Sequence, residues 1–186
     1  MTDTPKKQLS IRKVTPEDIP DLTRICLLTA NAGQSAESLH QHSELLGGLY
    51  IEPYLKLSPT FGFVLVDTSD EGEEIRDPSD ATERDRGVIN RIHKPLVPPQ
   101  GLVDISPAHI RISLLPQAQR QGWGVKLIEE AVRTLKVLGQ CALFVGIDSR
   151  NDNARAFYLK IGFKPFPFPD KEHLVLHFDD WKGPKS

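Results

Sequence analysis

Cysteine is scarce in this chain: Cys26 and Cys141 are the only two in 186 residues. Two cysteines cannot build a disulfide framework or a cysteine-rich zinc module, and no metal site is expected. Each stands in an apolar run, Ile25-Cys26-Leu27-Leu28 and Cys141-Ala142-Leu143-Phe144, and reads as a small buried hydrophobe. An excess of either charge is missing too, since 23 Lys and Arg against 25 Asp and Glu leave a net charge of −2. Coating nucleic acid needs a basic surface, so no nucleic-acid partner is expected. No apolar segment follows the polar start Met1-Thr2-Asp3-Thr4-Pro5-Lys6-Lys7, and no stretch approaches a membrane span. The expectation is a cytoplasmic protein with neither signal peptide nor membrane partner. No repeat is present. What remains is a soluble composition, 39% hydrophobic and 26% charged, at a length that suits one domain.

Strand and helix patterns alternate along the chain. Leu9-Ser10-Ile11-Arg12-Lys13-Val14 alternates apolar and polar residues, as a half-buried strand does. Thr15-Pro16-Glu17-Asp18 then reads as a helix start, with a capping hydroxyl, Pro in the first turn and acids behind it. A second helical region over 35–50 is expected to break at Gly47-Gly48, and 61–66 is rich in strand formers. Residues 67–86 are almost devoid of apolar side chains and predict an exposed loop, part of an irregular stretch over 67–107. Residues 108–115 alternate as a strand, and 122–138 carry a helical stripe of Ile128, Ala131, Val132, Leu135 and Leu138. Residues 142–147 are nearly all apolar, as in a strand covered on both faces. Asn151 can cap a short helix carrying Ala154, Phe157, Tyr158 and Ile161, stopped by Gly162. Two strands, 163–166 and 173–178, close the pattern. The class is mixed α/β around a central sheet, one domain over 9–178 with tails 1–8 and 179–186.

Two motifs carry chemistry. Gln119-Arg120-Gln121-Gly122-Trp123-Gly124 lies directly between a strand and a long helix. Its glycines let the backbone approach a ligand, and no Ser, Thr, Asp or Asn caps the helix, which leaves N–H groups open to an anion. The alternative is a tight turn and nothing more. The dinucleotide fingerprint fails because Leu127 replaces its third Gly, and Gly-Lys-Ser/Thr is absent. About thirty residues on comes Asn151-Asp152-Asn153-Ala154-Arg155-Ala156-Phe157-Tyr158, where Tyr158 alone would read as a half-buried core residue. His173 and His177 lie four apart in a strand, about 13 Å and too far for one metal, and read as surface residues.

Together, strand, Gln119-x-x-Gly122-x-Gly124, helix, strand and Asn151-x-x-Ala154-x-x-Phe157-Tyr158-x-x-x-Gly162-Phe163 resemble the GNAT superfamily of acyl-CoA-dependent N-acetyltransferases. Pro107-Ala108-His109-Ile110-Arg111-Ile112-Ser113-Leu114-Leu115, with Tyr50-Ile51-Glu52-Pro53-Tyr54-Leu55, is similar to the acetyltransferase-like domain of O-GlcNAcase and its stand-alone microbial relatives. The resemblance implies acetyl-CoA as cosubstrate and an amine acceptor, small molecule or peptide. It implies that Gln121, Gly122, Trp123 and Gly124, with Gln119 and Arg120, hold the pyrophosphate. Leu114 and Leu115 would offer backbone groups to the pantetheine arm, Asn151 would bond it from the other side, and Tyr158 would protonate the leaving thiolate. Two departures stand out. Ser113 occupies a place where relatives often carry a carboxylate, which leaves His109, Asp148 or no side chain at all as base. The polar run after residue 66 stands where relatives have another strand, so that strand is expected to be shortened or lost, with either a gap or a rebuilt hairpin in the sheet there. That loss keeps a second reading open, a weak or inactive acyl-CoA-binding or interaction module of the same fold.

Overall fold

The computed structural model describes residues 9–67, 82–95, 97–167 and 172–183. Five strands fall into two sheets. Strand β1 (Leu9–Lys13) pairs antiparallel with β2 (Phe63–Asp67), Ile11 opposite Leu65. Strand β3 (Ala142–Ile147) pairs antiparallel with β5 (Glu172–His177), which also pairs with β4 (Lys164–Phe166), giving the order β3-β5-β4. Helices α1 (Ile19–Leu27), α2 (Glu44–Tyr50), α3 (Pro53–Lys56), α4 (Glu83–His93) and α5 (Gln100–Ile105) precede α6 (Trp123–Val137) and α7 (Asp152–Lys160).

The C-terminal sheet is covered on both faces, as its unbroken apolar run requires. On one face Ile128, Val132 and Leu135 of α6 pack with Leu143, Val145, Leu174 and Leu176. The alternate residues Ala142, Phe144 and Val175 turn to Leu102 of α5 on the other face. Leu138, assigned to the α6 stripe from its spacing, lies past the last turn and is 51% exposed. A separate cluster forms in the N-terminal half from Cys26, Leu27, Ala36, Leu46 and Val88. Cys26 is buried as expected, whereas Cys141 is exposed, because it precedes β3 rather than lying inside it. Helix α2 runs straight through Gly47-Gly48. A Cβ on Gly47 would lie 2.3 Å from Thr23 Oγ1, so this glycine lets α1 and α2 approach closely rather than breaking the helix.

Three sequence expectations are corrected. First, 67–107 is not irregular throughout. The expected loop over 67–86 falls largely on 68–81, outside the described residues, but Thr82 already caps α4 and α5 follows. Helix α4 is anchored by polar groups: Asp85, fully buried, accepts from Thr82 N and Oγ1 at 2.8 Å each and from Gln41 N at 3.0 Å, and pairs with His40 Nδ1 at 2.8 Å. Burial pushes the Asp85 carboxyl up, but these backbone and side-chain donors outweigh it and hold the carboxyl well below the usual carboxylate range. Second, residues 108–115 form no laddered strand. One parallel bridge, His109 opposite Phe144, joins them to β3 through Phe144 N to Ala108 O (3.0 Å) and Ile110 N to Phe144 O (2.9 Å). Among the described residues no strand lies between Asp67 and residue 108, and the polar run on which the expected strand loss falls lies largely outside them. Third, His173 is buried, its ring 6.3 Å from that of Phe144, because its strand position faces α5's side of the sheet; His177 is exposed.

Candidate active site

Beyond the His109–Phe144 bridge, no hydrogen bond links residues 111–115 to β3 among the described residues, and the two segments splay apart. The carbonyls of Leu114 and Leu115 are taken by Gln119 Nε2 (2.8 Å) and Ala118 N (2.9 Å). Among the described residues their N–H groups have no hydrogen-bond acceptor and are open to an extended ligand.

Helix α6 begins at the end of this segment. Gly122, at φ +85, forms its N-cap in the left-handed region, and no side chain caps it. Arg120 is also left-handed, at φ +58, and exposed. The loop is braced from within, since Gln119 reaches Leu114 O and Gln121 Nε2 reaches Gln117 O at 2.5 Å. Both glutamine side chains hold the loop open and leave its N–H groups to a ligand. Trp123 lies under Lys126 Nζ, 4.2 Å from the ring centroid, which adds a cation beside the helix start. The two glycines differ in their task. Gly122 has open space where a Cβ would project, whereas a Cβ on Gly124 would sit 3.0 Å from Phe157 Cζ and 3.5 Å from Leu114 Cδ1. Gly124 therefore brings α6, α7 and the 108–115 segment into contact.

Helix α7 carries Asn151 and Tyr158. Asn151 Oδ1 caps the helix by accepting from Ala154 N at 3.0 Å, leaving its amide nitrogen as the group free to bond a ligand. A Cβ on Gly33, at φ +87, would approach that nitrogen to 3.2 Å, so the turn after α1 backs it closely. Tyr158 is 5% exposed, stacked edge-on between Phe157 and Phe163 at 5.2 and 5.0 Å. Burial pushes its hydroxyl up to about 12, partly offset by the charge of Arg111. The hydroxyl makes no hydrogen bond, yet no fully buried side-chain polar atom among the described residues lacks one. It therefore reaches accessible space.

A cleft of about 170 Å³ opens between Phe61, Gly62 and Phe63 on one wall and the five consecutive residues His109, Ile110, Arg111, Ile112 and Ser113 on the other. Consecutive residues alternate faces, so a cleft that touches all five follows the edge of the segment. Tyr50 and Tyr54 flank it, and Leu22, Ile25 and Leu127 help to line it. The Tyr54 hydroxyl forms a short hydrogen bond with His109 Nε2. Burial first, and then Arg111, lower the His109 imidazole below its ordinary value; burial raises the Tyr54 hydroxyl. Asp148, the other sequence candidate for a base, is bound by Arg150 Nε (3.0 Å) and Nη2 (2.7 Å), which holds it at about 2. So stabilised an anion is a poor proton acceptor. Sequence reasoning assigned no role to Tyr54 or Arg111. The signal was present in the two-residue spacing of His109 and Arg111 and the four-residue spacing of Tyr50 and Tyr54.

Among the described residues no cluster of three His, Cys, Asp or Glu is placed to hold a metal, and no helix is long and apolar enough to cross a membrane. Residues 93–165 match the family model of an acetyltransferase (GNAT) domain. The crystal structure of SsHAT superposes with a TM-score of 0.75 at 27% identity, covering 92% of this chain and 98% of its own. The chain has the GNAT acetyltransferase fold. Other structures share it at lower identity. An N-acetyltransferase from Staphylococcus aureus Mu50 is 14% identical, with a TM-score of 0.56 over 92% of this chain and 99% of its own. The yncA protein of Salmonella typhimurium, solved with its cofactor acetyl-CoA, is 13% identical, with a TM-score of 0.53 over 96% of this chain and 98% of its own. The region matched by the family model runs from the end of α4 to β4 and contains the splay, the α6 loop and α7.

Proposed function

We propose that this chain transfers the acetyl group of acetyl-CoA to an amine by direct attack. The observation that carries the reading is the uncapped α6 start at the mouth of the splay, with Tyr158 on the helix that touches it through Gly124 and Phe157. The N–H groups of Gly122, Trp123 and Gly124 would hold the pyrophosphate, aided by the helix dipole. The N–H groups of Leu114 and Leu115 and the Asn151 amide would hold the pantetheine arm from its two sides.

Tyr158 stays protonated at neutral pH and would give its proton to the departing thiolate. The acceptor amine must lose a proton as it attacks. Tyr54 would take that proton while passing its own to His109 Nε2, the imidazole proton residing on Nδ1. Because His109 is held below its ordinary value, it is neutral at pH 7 and ready to accept. The amine must already be neutral to attack, which for a Lys-like group in water at pH 7 costs about 4.6 kcal/mol; the relay removes the proton that the attack itself releases.

Two measurements test the reading: titration calorimetry with acetyl-CoA, and mass spectrometry of N-acetylated products from a panel of primary amines. Micromolar binding and an acetylated amine are expected. A chain that does not bind acetyl-CoA overturns the proposal; one that binds it but acetylates no amine is an acyl-CoA-binding module.

A further inference from the structure

The charge pattern of the cleft bears on which amine it takes. Among the described residues Arg111 is the one that lines it with a fixed charge, and none that lines it is a carboxylate. Its guanidinium carbon lies 3.7 Å from the centre of the Tyr50 ring, and Nη2 is 3.5 Å from Cys26 Sγ. The Tyr50 hydroxyl in turn accepts from Arg91 Nη1 at 2.9 Å, so a second cation stands behind the ring. Among the described residues Arg111 makes no ion pair, although the chain pairs many of its other cations: Arg12 with Asp18, Arg150 with Asp148, Arg155 with Glu172 and Lys164 with Asp180. Stacking on Tyr50 orients the planar fork while its remaining N–H donors stay unused, the arrangement that suits a carboxylate or phosphate. An acceptor bringing a second cation would instead meet a like charge. The cleft, at about 170 Å³, is smaller than a drug-sized pocket of roughly 300–1,000 Å³ and fits a small molecule better than a folded partner.

We propose that the acceptor is a small primary amine that also carries an anionic group, carboxylate or phosphate, bound by Arg111 in the cleft between β2 and the 108–115 segment. This rests on the acetyltransferase reading, and its test separates the two.

With the α6 loop saturated by CoA, 4-aminobutanoate, 2-aminoethyl phosphate and 1,4-diaminobutane are titrated into the protein by calorimetry, and the same three are offered with acetyl-CoA in a product assay. The carboxylate and phosphate arms distinguish the two anions. At least one anionic amine is expected to bind at least about 10-fold more tightly than the diamine, the equivalent of one charge-assisted hydrogen bond. Arg111→Gln should remove that preference and Arg111→Lys retain part of it, with acetyl-CoA affinity unchanged in both. Equal or tighter binding of the diamine, no binding of any of the three, or a preference that survives Arg111→Gln overturns the inference. Anion preference without acetyl transfer keeps Arg111 as an anion site for a small amine and removes the acetyltransferase reading. Transfer without anion preference does the reverse.

Discussion

Tyr158 and His109 are tuned in opposite directions by one environment. Both are desolvated and both feel Arg111; the phenol stays protonated and the imidazole stays neutral. Tyr158→Phe keeps the ring between Phe157 and Phe163 and removes only the proton. Its kcat is expected to fall by about 10²–10⁴, with acetyl-CoA affinity unchanged by calorimetry. An unchanged kcat would exclude the hydroxyl from the chemistry. In the wild type, kcat should rise with pH through a midpoint below 6.5 and stay level until far above neutrality, where Tyr158 ionises. His109→Gln should abolish the low-pH limb; persistence of that limb would locate the base elsewhere. A third residue concerns stability rather than catalysis. Asp18 is bound by both terminal nitrogens of Arg12 at 2.7 Å and by Thr15 N at 2.8 Å, and sits at about 2. A carboxyl depressed on folding stabilises the fold above its unfolded value near 4, and that contribution is lost as pH falls toward 2. Asp18→Asn is expected to cost about 1–2 kcal/mol at pH 7 by urea denaturation, a difference that shrinks to nothing by about pH 2.

Among the elements, α6 and α4 differ in what holds them, and that difference decided which could be read from sequence. Helix α6 announces itself through Ile128, Ala131, Val132 and Leu135 at helical spacing, and α7 through the Asn151 cap and the Gly162 stop. Helix α4 has a single buried apolar residue, Val88, and is fixed instead by Asp85, whose partners His40 and Gln41 lie more than forty residues away. The Thr82–Asp85 capping box is the local signal of this helix, and the long-range contacts to His40 and Gln41 leave none. Asp85→Ala leaves His40, Gln41 N and Thr82 N without their acceptor and should cost roughly 3–5 kcal/mol in urea denaturation. A loss under about 1 kcal/mol would show that the network adds little. At the α6 start, Gly122→Asp places a negative charge where nothing lies within 4 Å of the new Cβ, and Asp tolerates the left-handed region better than most residues. Acetyl-CoA binding should be lost with only a small drop in thermal midpoint. Gly124→Asp is the poorer probe, because its Cβ would press on Phe157.

At the scale of the whole molecule, the α6–α7 half of the candidate site was legible in the sequence and the cleft beside β2 was not. Gln119, Gly122, Gly124, Asn151 and Tyr158 are close in sequence, and their spacing within one strand–helix–strand–helix unit sets their geometry. Tyr54 and His109 are 55 residues apart and meet through tertiary packing, which no local spacing encodes. The splay also has a mechanical side. Residues 108–115 are tied to β3 by two main-chain hydrogen bonds, both at Phe144. A ligand lying in the splay would bond both sides at once and serve as the rungs this ladder lacks. Binding to the native state alone adds about 2.7 kcal/mol of stability at a hundredfold excess over Kd, and amides that exchange by parting these two segments slow in proportion. The Ile110 and Phe144 amides would then act as a built-in gauge of occupancy. Their solvent exchange should be brisk in the free chain and retarded about 100-fold once acetyl-CoA is bound, with no change of fold to account for it.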